Sequence, residues 1–264
     1  MKSPTERMIA EIDGPIGWLV FNNPARRNAV SLDMWQAIPE IIDAYERDPA
    51  VRVIVLKGAG DKAFVSGADI SEFEQNRSSP EAVQRYDEIG HRAQARIEAA
   101  QKPTIAMIHG FCMGGGVGVA LQCDLRIASE SARFGIPAAR LGISYRLGGV
   151  KKLIDLVGPS FAKEIFFTAR RFTAVEAHGM GLVNRVLPDA ELEGFVRSYC
   201  AMIAENAPLS LAASKSMIAE LTKTARDIDR AACEELVRRC FESEDYVEGR
   251  RAFMEKRKPV FQGR

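Results

Sequence analysis

Two short segments carry residue types suited to holding a polarised oxygen. In Met113-Gly114-Gly115-Gly116-Val117-Gly118, consecutive glycines lead into an apolar run that reads as a buried helix. In Ser66-Gly67-Ala68-Asp69-Ile70, a strand ends in a small-residue turn. Glycine permits close backbone approach and unusual backbone angles, and a helix N-terminus leaves N–H groups unpaired and favours negative charge. Two such donors converging on one carbonyl would make an oxyanion hole. The same glycines also suit tight packing alone. A phosphate or dinucleotide loop does not fit: the third glycine is missing at the required offset, and no lysine follows Gly115-Gly116. Side chains near these loops read mostly as structural. Asp69 fits a loop brace or helix cap, His109 a hydrogen-bonded core histidine, and Asp124 a loop anchor. Cys112 would need a base to act as a nucleophile, and none is evident.

The totals narrow the partners. The chain has 264 residues, with 36 Lys and Arg against 35 Asp and Glu, and only 3 His. A formal charge of +1 argues against electrostatic capture of nucleic acid or of an anionic membrane. So few histidines argue against a multi-His metal site. Five cysteines without a CxxC pair read as reduced thiols, and the start lacks a leader pattern, so a cytoplasmic location is expected. Pro103 to Cys123 contains no charged residue, but its glycines split it into a strand and a buried helix rather than a bilayer span.

The elements that must position the loops follow from the pattern. Ile9 to Phe21 reads as two strands around Asp13-Gly14, and Ser31 as the cap of a helix from Leu32 to Arg47. Val51 to Gly58 reads as a buried strand, Glu81 to Ala100 as a helix, Thr104 to Gly110 and Asp124 to Ser129 as strands. The polar stretch Glu74 to Pro80 reads as a flexible flap. This strand–loop–helix repetition predicts a layered α/β fold. Beyond Gly158-Pro159 the pattern turns helical, with segments at Ser160–Thr168, Ala174–Met180, Asp189–Asn206, Leu209–Leu221, Ile228–Glu242 and Asp245–Lys256. Only Leu182 to Val186 is strand-like there.

The segment from Lys62 to Ile70, His109-Gly110 with Gly114-Gly115-Gly116, Cys123-Asp124, and Phe134-Gly135-Ile136-Pro137 together resemble the crotonase (enoyl-CoA hydratase/isomerase) superfamily. So do Gly181-Leu182-Val183, Ala207-Pro208-Leu209 and the tail from Glu244-Asp245 to Lys258-Pro259. The likeness runs in order along essentially the whole chain. It implies an α/β crotonase (ClpP-like) spiral of ββα units over residues 1–190, then a helical C-terminal trimerisation region over residues 191–264. It also implies a homotrimer or a hexamer made of two trimers, and an acyl-CoA thioester as substrate, with no separate cofactor and no metal.

Carried over position by position, the Ala68 and Gly115 backbone N–H groups would hold the thioester oxygen. Ala63, Phe64, Ser66, Gly67, Asp69 and Ile70 would bracket the adenine through the backbone, with Gly114, Pro137 and Ala138 close to the acyl group. Arg26 and Arg27 fall where the family often places basic residues near CoA phosphates, and Phe253, Lys256 and Arg257 could complete that site from a neighbouring subunit.

The likeness breaks at two positions. The family's hydratases carry one glutamate two residues after the glycine triplet and another after the FGxP proline; here those positions hold Gly118 and Ala138. Tyr145, in Leu141 to Gly149, falls where a tyrosine follows the Leu-Gly pair in the methylmalonyl-CoA decarboxylase branch. That branch, though, has His in place of Ala68 and Glu in place of Gly118. Three readings stand: an enoyl-CoA hydratase/isomerase-type enzyme acting through a thioester enolate, a malonyl-type decarboxylase, or a non-catalytic acyl-CoA binder.

Overall fold

The computed structural model describes residues 3–69 and 79–264. Ile70 and residues 74–78 of the expected flap lie outside them. Ser79 and Pro80 belong to a helix start, since the Ser79 hydroxyl accepts from Ala82 N at 3.2 Å.

Successive ββα units build the core. Strands β1 (Met8–Asp13) and β2 (Ile16–Phe21) form the expected hairpin and lead into α1 (Leu32–Arg47). Next come β3 (Val53–Gly58), β4 (Ala63–Val65) and α2 (Pro80–Glu98), then β5 (Thr104–Ile108), β6 (Phe111–Met113) and α3 (Gly115–Gln122). The fourth unit is β7 (Leu125–Ser129), β8 (Arg133–Gly135) and α4 (Leu147–Thr168). Short elements β9 (Phe172–Thr173), α5 (Ala174–Gly179) and β10 (Arg185–Leu187) close the spiral. In units two to four the first strand joins a six-stranded sheet, ordered β1-β2-β3-β5-β7-β10, and the second joins a four-stranded sheet, ordered β4-β6-β8-β9. Pairing is parallel except at β1–β2 and β8–β9.

The long sheet is covered on both faces, which explains why β2 and β5 are apolar without alternation. Leu19, Phe21, Ile54 and Leu56 point toward α1 and the main core. Trp18, Val20, Val53 and Val55 point the other way, onto Leu192, Val196 and Cys200 of α6 (Leu192–Ala204). Helices α7 (Pro208–Leu221), α8 (Arg230–Phe241) and α9 (Glu244–Glu255) follow. Arg52 ties this tail to the core by donating to Asn206 O at 2.9 Å and Phe261 O at 3.4 Å.

Two features depart from the sequence reading. Helix α4 begins at Leu147, not Ser160: it bends at Gly158 (φ 74°) and resumes at Pro159. A proline opening the second segment loses no hydrogen bond that a first helical turn would make. Strand β9, inside the stretch read as helical, is two residues long and pairs only with β8, too short to show a period. No helix among the described residues is long and apolar enough to cross a membrane.

Candidate active site

The Ser66–Asp69 loop is held by a one-residue parallel bridge between Val30 and Ala68. Val30 N donates to Gly67 O at 2.8 Å and Asp69 N donates to Val30 O at 3.0 Å. A bridge of this kind uses the groups on either side of Ala68 and leaves its own N–H directed away. The preceding turn is fixed by Asn28, which is fully buried at φ 56°. Its Nδ2 donates to Ala59 O (3.0 Å) and Ala63 O (2.7 Å), and its Oδ1 accepts from Asn23 N (3.0 Å). In the sequence the one signal for Asn28 is an asparagine closing a Pro-containing turn.

Across from this loop, Gly114 (φ 53°, ψ −114°) turns the chain from β6 into α3, and its N donates to Gly135 O at 2.8 Å. Gly115 is then the first helical residue, whose N–H has no intrahelical acceptor. The two loops meet. A Cβ placed on Gly115 would lie 3.6 Å from Ala68 N, and one on Gly67 would lie 4.0 Å from Gly115 N. Gly67 itself has φ 120°, a backbone state that favours glycine. Neither the Ala68 nor the Gly115 N–H meets an acceptor among the described residues. The geometry thus brings together Gly67, Ala68, Gly114 and Gly115, with the positive end of α3 behind them.

Tyr145 joins this group. Its hydroxyl is 3.7 Å from where a Cβ of Gly114 would stand, and its ring packs edge-on against Phe166 at 5.4 Å. Burial, with the Cys112 thiol adding to it, holds the phenol above its ordinary range, so it is a neutral donor at working pH. No hydrogen-bond partner engages the hydroxyl among the described residues. Arg146 next to it is exposed and pairs with Asp87 at 2.5 Å.

Position 118 lies one helical turn beyond Gly115, on the same face of α3. The three described atoms nearest to a Cβ there all belong to Gln94 of α2, the closest being Nε2 at 3.4 Å. Ala138 is buried in the core, and its carbonyl accepts from Ile143 N at 3.2 Å; Pro137 beside it opens a short 3-10 turn.

The residues expected to hold CoA have the following surroundings. Ser66 Oγ donates to Arg26 O at 3.2 Å, while Arg26 reaches the buried Asp69 at 3.5 Å, so Asp69 braces its own loop. Arg27 and Arg171 each set a guanidinium 5.1 Å from the Phe111 ring, which places Arg171 beside Arg27 although 144 positions separate them in the chain. Ala63 and Phe64 are buried, Phe64 edge-on to Phe21 at 5.9 Å, and Phe64 N donates to His109 O at 2.8 Å. Phe253 (83% exposed) and Lys256 lie at the end of α9, and no hydrogen bond or ion pair links them to these loops among the described residues. Asp124 does anchor loops, accepting from Thr104 N (2.7 Å), Thr104 Oγ1 (2.9 Å) and Lys215 Nζ (2.8 Å). His109 differs from expectation in part: its Nε2 is buried without a partner. Burial, with the Lys57 charge, keeps its imidazole below the usual histidine range. No group of three metal-ligating side chains occurs among the described residues.

Residues 11–264 match the enoyl-CoA hydratase/isomerase family model. The chain is 40% identical over 258 residues to the crotonyl-CoA hydratase of Syntrophomonas wolfei, covering 97% of this chain and 98% of that one. It is 37% identical to the short-chain-enoyl-CoA hydratase of Clostridium acetobutylicum, covering 95% of each. The crystal structure of an enoyl-CoA hydratase/isomerase family protein from Hyphomonas neptunium superposes over the full length of both chains with a TM-score of 0.94 at 38% identity. The chain therefore belongs to the enoyl-CoA hydratase/isomerase family and has the α/β crotonase fold.

Proposed function

We propose that the chain acts on acyl-CoA thioesters by stabilising a thioester enolate between the Ala68 and Gly115 N–H groups. The observation that carries this reading is the convergence, at the N-terminus of α3, of two backbone donors that meet no acceptor among the described residues. Losing a proton or a carboxylate from the α-carbon moves negative charge onto the thioester oxygen. Donors fixed in advance gain strength as that charge grows, and losing one such donor typically costs about 10²–10³ in rate. Tyr145, neutral and beside Gly114, would orient the acyl group or return a proton to the α-carbon.

The relatives named as hydratases favour addition of water, but residues 118 and 138 offer no carboxylate to position it. Malonyl-type decarboxylation is the second reading, favoured by that lack of charge: departure of CO2 leaves the enolate without needing a strong base. A third reading, an acyl-CoA binder without turnover, shares the same donors. Arg26 and Arg27, the backbone from Ala63 to Ile70, and Phe253 with Lys256 from a neighbouring copy would hold the CoA portion. That last contribution needs the trimer or hexamer that the exposed apolar tail residues favour.

The test is a panel of crotonyl-, methylmalonyl- and 3-hydroxyacyl-CoA assayed with the native chain, Gly115→Pro and Tyr145→Phe. Proline is tolerated at a first helical position and removes one donor. The proposal expects turnover of one thioester, cut by about 10²-fold or more in Gly115→Pro. Efficient crotonyl-CoA hydration unaffected by Tyr145→Phe would contradict this account of the site, and binding without turnover across the panel would leave the third reading.

A further inference from the structure

We infer that Gln94 is the residue that recognises the acyl end of the substrate, and that it selects thioesters bearing a carboxylate on the α-carbon. The inference rests on the proposal that the thioester oxygen sits between Ala68 and Gly115. From there, the face of α3 leads one turn on to Gly118, a rise of about 4.5 Å. A Cβ at Gly115 would touch Ala68 N, and a Cβ at Gly118 would touch the Gln94 amide. A substituent on the α-carbon of a thioester anchored at the donors therefore falls within reach of that amide.

Three observations set the chemistry. The Gln94 side chain is half-buried and makes no hydrogen bond among the described residues, so its amide is available to a ligand. It is neutral and offers two N–H donors, whereas a glutamate at position 118 would have presented negative charge to the same space. Along α2 the acidic residues two turns before and one turn after Gln94 are ion-paired, Asp87 with Arg146 and Glu98 with Lys152, each at 2.5 Å. Those two carboxylates are thus neutralised by cations, and the Gln94 amide beside Gly118 brings no charge of its own against an anionic acyl group.

In the resulting step the Gln94 Nε2 donates to the substrate carboxylate and holds it out of the thioester plane. The bond between the α-carbon and the carboxylate carbon breaks, CO2 leaves, and the electron pair passes into the enolate whose oxygen lies at Ala68 and Gly115. A proton from the Tyr145 hydroxyl or from water then reaches the α-carbon, and solvent restores the phenol.

The experiment compares the affinities of acetyl-CoA and sulfoacetyl-CoA, whose sulfonate stands in for the carboxylate but does not leave as CO2. Native protein should bind sulfoacetyl-CoA at least tenfold more tightly. Gln94→Leu should abolish that preference, Gln94→Asn should keep part of it, and Gln94→Glu should reverse it. Equal affinity for the two ligands in the native protein, or a preference that survives in Gln94→Leu, overturns the role of Gln94 while leaving the donor pair standing. Failure of acetyl-CoA to bind, or turnover of the preferred thioester indifferent to Gly115→Pro, removes the underlying reading and this inference with it.

Discussion

Replacing Gly116 by alanine should separate the two donors without touching either of them. A Cβ on Gly116 would overlap the Val65 carbonyl oxygen and stand 2.9 Å from Val65 C and 3.0 Å from Val65 Cβ. These are backbone or near-backbone atoms of β4 that cannot swing aside, so α3 and β4 must move apart by about 1 Å to restore ordinary contact. Because Ala68 follows β4 and Gly115 opens α3, that displacement falls directly on the gap between their N–H groups. A misplacement of about 1 Å is worth on the order of 10²-fold in rate, about 2.7 kcal/mol of transition-state stabilisation. Overpacking would cost about 1–3 kcal/mol of stability, offset by about 1 kcal/mol from the better helix propensity of alanine. Gly118→Ala is the internal control: the described atoms nearest its Cβ are the movable end of Gln94, from 3.4 Å outward, so stability should hold or rise. Turnover of the preferred thioester and thermal unfolding, measured on both variants, check the argument. A Gly116→Ala protein with native activity and native unfolding temperature would refute the claim that close approach of α3 to β4 sets the donor geometry.

Further outcomes follow from the same structure. Gly118→Glu should place a carboxylate against Gln94 and weaken binding of acidic thioesters: two like charges 4 Å apart at an effective dielectric of 20 repel by up to about 4 kcal/mol. Competition between acetyl-CoA and malonyl-CoA would read this. Burial holds the Tyr45 and Tyr145 phenols protonated in the folded chain above pH 10, where the unfolded chain releases those protons. Their contribution is therefore whole below pH 10 and declines as pH rises beyond it, by up to about 1.4 kcal/mol per pH unit for each phenol. Tyr45, whose hydroxyl donates to Trp18 O at 2.6 Å, can be tested alone: Tyr45→Phe should lower stability at neutral pH and flatten the alkaline slope in denaturant titrations. Burial also raises the Cys112 thiol and pushes Cys123 and Cys200 up to about 12, so thiol labelling of native protein at pH 8 should reach at most Cys233 and Cys240.

The parts legible in the sequence were those with a local signature. Apolar runs such as Ile16 to Phe21 and Thr104 to Ile108 announced buried parallel strands, and the glycines from 114 to 116 announced a helix start built for close approach. Strands of two or three residues such as β8 and β9 carry no period, and a Gly-Pro step concealed the first half of α4. At the site, donors that belong to the backbone were readable because their requirement is small residues. Gln94 was not, since it lies 24 residues before Gly118 on a charged helix and its meaning arises only from the packing of α2 on α3. Asn28 escaped for a related reason: its partners Ala59 and Ala63 reach it only once β3 and β4 have folded back.

The central claim is that one oxygen is shared by two backbone donors. A crystal structure of the chain with bound acetoacetyl-CoA tests it most directly. The account predicts the thioester oxygen within about 2.7–3.1 Å of both Ala68 N and Gly115 N. A thioester oxygen more than about 4 Å from either nitrogen, beyond any hydrogen bond, would contradict it.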